Sequence, residues 1–287
     1  MVTTSPRTAG PTGILTAAGL AVFAAAYGWL LATGTTEVTG SADSGATGPS
    51  LLGALLPALV AVLIALVVAP HARPVVLDGV PTDQLRREAL VLVGLAVAFP
   101  LSVLAVPGDL AYPLLKVGLL LVAPLAAFRL MRGTGPVART VPRPLVWAAP
   151  SAAALAWFLT SHVGPLAVPL TQQLPDPVTL AVVSLVTLLT ASVLEEFFYR
   201  AWLQTRLERL IGVGPAVVGQ ALLFAAMHVG HILANTAGIA TGVAGALAVQ
   251  GVFGLMQGVL WARYRNIWVI VAIHVVTNLV YVDLLLG

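Results

Sequence analysis

Apolar runs of membrane-crossing length recur along almost the whole chain, and no other feature limits its fold so strongly. About 20 residues at 1.5 Å rise cross a hydrocarbon layer. Windows of that kind lie at about 13–33, 51–70, 89–106, 114–130, 145–164, 178–200, 214–232, 242–262 and 267–286, the fourth being the shortest. Only 9% of the 287 residues are charged, against about 25% in a soluble domain, which is too little to clothe a water-facing surface. The expectation is an all-α, polytopic transmembrane helical bundle of about nine spans. The same composition excludes a disordered chain and a soluble two-domain enzyme. With no cysteine, disulfide scaffolds, thiolate zinc sites and cysteine nucleophiles are excluded together.

The basic balance, with a pI near 9.7, comes from thirteen arginines and one lysine set between apolar spans. That placement points to membrane topology rather than nucleic acid. With a cytoplasmic N-terminus and nine crossings, all thirteen arginines fall on one side: Arg7, Arg73, Arg86, Arg87, Arg129, Arg132, Arg139, Arg143, Arg200, Arg206, Arg209, Arg263 and Arg265. Glu37, Asp43, Asp109, Asp176 and Asp283 fall on the other, with Lys116 as the basic residue nearest to them. The positive-inside rule predicts such an asymmetry, so the C-terminus is expected outside. The first span lacks a small-residue cleavage site after its apolar run and reads as a retained anchor.

The loops, such as 34–50 and 165–177, are too short to fold as separate domains, and no internal repeat argues for an inverted-repeat transporter. Residues 201–211 alternate apolar and basic positions at helical spacing and are expected to prolong the sixth helix toward the cytoplasmic interface. Residues 1–177 form N-terminal helices of unknown role, and residues 178–287 hold most of the polar chemistry.

Ionisable groups within a bilayer cost about 2.5–3.5 kcal/mol each on insertion scales and are functional by default. The first five spans hold almost none. The last four hold Glu195, Glu196, Arg200, His228, His231 and His274, together with the polar Asn278. Arg200 lies four residues after Glu196, the spacing that brings helical side chains together, so the two are expected to pair. Consecutive residues diverge by about 100° on a helix, so Glu195 is expected to be left free for the bundle interior. Folding the chain at Gly212 sets Glu195 and His228 at matching depth, each about 24 Å from the hairpin tip. His274 and Asn278 share one face of the ninth helix at i, i+4. His231 reads as a structural or supporting residue. Gly254 and Gly258 match the small-xxx-small pattern for close helix packing.

There is no His-Glu-x-x-His zinc motif, no Gly-x-Ser-Gly nucleophile and no intramembrane aspartate pair. Peptide hydrolysis needs a base for water and donors for an oxyanion. Glu195 with His228 can supply the first, and His274 with Asn278 the second.

Three motifs in order, Glu195-Glu196-…-Arg200, Phe224-…-His228 and His274-…-Asn278, resemble the CPBP family, the intramembrane proteases and abortive-infection proteins related to the second type of CAAX prenyl endopeptidase. The resemblance covers roughly 178–287. It implies a helical core with a polar cavity open to the cytoplasm, water activated by Glu195 and His228, and an oxyanion held by His274 and Asn278. Glu196, Arg200 and Phe224 then serve as structural or supporting residues. No obligatory cofactor is implied; zinc, if bound, would use Glu195, His228 and His274. The expected partners are a membrane-associated protein or peptide substrate and the lipid bilayer, not nucleic acid. The expected location is the bacterial plasma membrane. A non-catalytic membrane scaffold or immunity protein and a proton-coupled transporter are the competing readings.

Overall fold

In hydrocarbon there is no water to bond the backbone, so a chain this apolar satisfies its amides within helices. The computed structural model describes residues 10–38, 48–68, 77, 79–106, 108, 110–131, 146–168, 176–234 and 238–278. Nine helices account for most of them: α1 (Pro11–Ala32), α2 (Leu51–Val67), α3 (Thr82–Ala105), α4 (Ala111–Met131), α5 (148–163), α6 (Pro177–Ile211), α7 (Val213–Ala234), α8 (Ile239–Tyr264) and α9 (Ile267–Asn278). No strand occurs among the described residues, only an isolated bridge between Glu37 and Ser50. Helices α1, α3, α4, α6, α7 and α8 are long and apolar enough to cross a membrane, whereas α2 and α9 are shorter apolar helices. The protein is therefore a polytopic helical bundle. The fourth span, short by sequence, is a 21-residue helix.

Local chemistry sets several ends. Ser50 accepts a bond from Gly53 N at 3.0 Å to start α2, and Asp176 accepts from Val178 N and Thr179 N at 3.1 Å to start α6. The Asn266 amide oxygen caps the first turn of α9. Helix α6 runs on through 201–211, and the turn to α7 is made at Gly212, whose φ of +89° suits a residue without Cβ.

The cores are shared between the two halves of the chain. One joins Ala61 and Ala65 of α2, Ala153 and Trp157 of α5, Met256 of α8 and Ile270 of α9. Another joins Leu92 and Phe99 of α3, Leu120 of α4, Phe198 and Leu203 of α6, and Phe224 of α7. Leucines such as Leu31, Leu63, Leu101 and Leu114 are exposed, as suits a lipid-facing surface.

Arginine-rich helix ends meet at one end of the bundle. Arg206 Nε bonds Glu88 Oε2 at 2.7 Å, joining the end of α6 to the start of α3. Its guanidinium lies 4.3 Å over Phe128 near the end of α4. Arg265 pairs with Glu208, and Arg263 donates to the carbonyls of Ala65, Leu66 and Val68 at the end of α2.

The glycines of α8 pack it against α6 and α7 through polar groups. Gln220 Nε2 donates to Gly254 O and Gln204 Nε2 to Gly258 O, each at 2.8 Å. A Cβ on Gly258 would stand 2.5 Å from Gln220 Nε2 and 3.1 Å from both Gln204 Oε1 and Val217 Cγ1. Gly258→Ala is therefore expected to destabilise by about 1–3 kcal/mol, because the displaced amides are buried and bonded. A fall in the thermal midpoint in detergent is the readout; a raised midpoint would show that helix propensity outweighs the crowding.

Candidate active site

Helix α6 brings Glu195, Glu196 and Arg200 into the bundle between two widened, π-helical stretches, Leu188–Val193 and Phe197–Gln204. Such turns recur at functional sites, and no glycine or proline lies within 188–204 to cause them. All three side chains are sequestered: Glu195 is 1% exposed and Glu196 and Arg200 are 0% exposed. Arg200 Nη1 donates to Glu196 Oε1 at 3.1 Å, the pair that the i, i+4 spacing implies. The guanidinium also lies 4.4 Å over the ring of Phe224.

Glu195 is not left free. Lys116 of α4 reaches across the bundle and pairs its Nζ with Glu195 Oε1. Lys116 is itself only 3% exposed, so it belongs to the interior and not to an outer loop. Two buried carboxylates are thus met by two buried cations, and the cluster needs no uncompensated charge.

Both glutamates also reach one point, contrary to the divergence expected of neighbouring helical residues. The link is His274 of α9, whose Nδ1 lies 2.6 Å from Glu196 Oε1 and whose Nε2 lies 3.9 Å from Glu195 Oε2. A planar ring with nitrogens on opposite edges spans two side chains that diverge from their own helix. A carboxylate can only accept when ionised, so Nδ1 is the donor and Nε2 is turned toward Glu195.

His228 is fixed differently. Its Nδ1 donates to the carbonyl of Phe224, one turn earlier on α7, at 2.9 Å. That bond leaves Nε2 as the lone-pair nitrogen of the neutral ring. His228 and Glu195 are close enough to interact electrostatically. Phe224 ties the group together, with its centroid 4.8 Å from His228, 6.1 Å from His274 and 5.3 Å from Tyr199. Asn278 lies one turn beyond His274, where Nδ2 donates to Ser192 Oγ at 3.3 Å. It therefore sits beside the turn of α6 that precedes Glu195. The side chain of His231 lies outside the described residues.

The sequence motifs did not include Lys116, Ser192 or Phe253, whose ring lies 5.1 Å from His274. Lys116 is the only lysine in the chain and stands inside an apolar helix, a signal that the cost of intramembrane charge makes readable.

Among the described residues no group of three or more histidines and carboxylates is arranged to hold an ion. An ammonium is paired with Glu195 Oε1. Several polar atoms remain available instead: Glu195 Oε2, Glu196 Oε2 and Arg200 Nε and Nη2 are buried without a hydrogen-bond partner among the described residues.

Residues 177–280 match the model of a family described as type II CAAX prenyl endopeptidase Rce1-like. The matched segment runs from the start of α6 through α9 and contains all three motifs. No curated protein and no solved structure matches the chain.

Proposed function

We propose, from the match of residues 177–280 to the Rce1-like family model, that the protein is an intramembrane endopeptidase that hydrolyses peptide bonds of membrane-associated proteins or peptides. One observation carries the reading: Glu195, Glu196 and Arg200 of α6 and His274 of α9 meet within the bundle, and His228 of α7 packs beside them against Phe224. In this reading Glu195 Oε2 accepts a proton from water, aided by the lone pair on His228 Nε2. Glu196 holds Nδ1 of His274 and so aims Nε2 toward the reacting atoms, where its protonated form donates to the oxyanion. Asn278 supplies a second donor. Arg200 balances Glu196, and Phe224 keeps both imidazoles in place.

The test compares purified wild-type protein with Glu195→Gln in bilayer discs, each incubated with solubilised membrane proteome, and reads new peptide termini by mass spectrometry. Termini made by the wild type and absent with the variant support the reading. Identical sets of termini from the two overturn it.

The same reading sets the protein in the bacterial plasma membrane with a cytoplasmic N-terminus and nine crossings. The meeting of arginine-rich ends of α3, α4, α6 and α8 supports a single cytoplasmic end. Localisation reporters fused after Gly287 and within 132–140 are expected to report opposite sides; a shared side rejects the nine-crossing arrangement.

A further inference from the structure

The matched segment starts at residue 177, yet one of the two cations at the site comes from α4. Lys116 stands among apolar residues, and desolvating an ammonium in hydrocarbon is costly. A well-packed apolar pair is often as stable as a buried ion pair, so stability alone gives no reason for a lysine here. Its geometry does. Lys116 Nζ engages Glu195 Oε1, while Oε2 has no hydrogen-bond partner among the described residues and faces His274 Nε2 at 3.9 Å. The ammonium is itself held 4.8 Å over the ring of Tyr112, one turn earlier on α4. Arg200 is committed to Glu196 and to the face of Phe224, which leaves Lys116 as the cation that sets the rotation of the Glu195 carboxylate.

We propose that Lys116 is a positioning residue of the site: it takes one oxygen of Glu195 and presents the other to the reacting water. This rests on the protease reading above. It gives α4, and through it the N-terminal helices, a part in the chemistry. The lysine acts through Glu195 and does not touch the substrate.

Kinetics on a cleaved substrate separate this role from simple support. Lys116→Met is expected to lower kcat about 10²-fold with KM little changed, the loss that about 1 Å of misplacement can cause. Lys116→Arg, which restores a cation able to reach Oε1, is expected to recover most of kcat. If Lys116→Met does not accumulate, Lys116→Gln carries the test, since it keeps a donor and loses the charge; a reduced kcat at unchanged KM is expected there too. A well-folded Lys116→Met or Lys116→Gln enzyme with wild-type kcat overturns the proposal. So does a loss confined to KM, or a Lys116→Arg enzyme no better than Lys116→Met.

A second readout does not depend on turnover. Thermal unfolding of Lys116→Met, Glu195→Gln and the double variant is expected to show the double melting above the lower of the two singles, because it leaves neither charge alone. Additive losses overturn the pairing. Wild-type protein without turnover overturns the protease reading, and the positioning role with it, whereas an active wild type with an indifferent Lys116 overturns this inference alone.

Discussion

Glu195→Gln is expected to abolish peptide hydrolysis and also to weaken the fold. Removing a general base costs about 10²–10⁴-fold in rate. His228→Ala is expected to fall into the same range, and the two together to cost little more, because residues that act as one unit are not additive. Asn278→Ala is expected to lose about 10²–10³-fold, the size of one oxyanion donor. The structural consequence follows from Lys116: glutamine keeps the shape of Glu195 but leaves a buried ammonium unpaired. A Glu195→Gln protein that melts lower yet stays monodisperse and inactive matches both roles. Full activity in a folded Glu195→Gln protein removes Glu195 from the chemistry, and an unchanged midpoint removes its pairing with Lys116.

Arg200→Ala is expected to act mainly on the fold. Arg200 is fully buried, bonded to Glu196 and laid over Phe224. Truncating it strands the Glu196 carboxylate and opens a cavity beside the aromatic hub, and breaking a buried pair from one side costs about 3–5 kcal/mol. Poor accumulation and a lowered melting midpoint are expected. Arg200→Ala combined with Glu196→Gln is expected to recover part of that loss, because the stranded charge is gone. An Arg200→Ala protein with a normal midpoint and no turnover would instead assign Arg200 to substrate binding.

Much of this was legible because bilayer chemistry leaves few options. Residues that are apolar over about 20 positions become helices, and each of the nine windows holds one. Short-range geometry was readable for the same reason: the Glu196–Arg200 pair is a property of four-residue spacing on a helix, and the hairpin at Gly212 follows from a glycine at a break in the apolar pattern. Long-range partners were not. The His274 ring touches both glutamates because α9 crosses α6 at that depth, and Asn278 bonds Ser192 because the same crossing continues for one more turn.

The amino-acid sequence by itself thus determined a membrane-embedded helical chain, the sites of its turns, and which polar residues would be costly enough in lipid to demand partners. Only the tertiary structure decided who those partners are. Lys116 and Glu195 are 79 positions apart, on helices whose apolar faces carry no record of which neighbour they meet. Pairing of buried charges depends on helix rotation and crossing depth, and these are set by cores that draw on both halves of the chain at once. Sequence spacing cannot encode a contact that arises from packing several helices together, because hydrophobic attraction is non-directional.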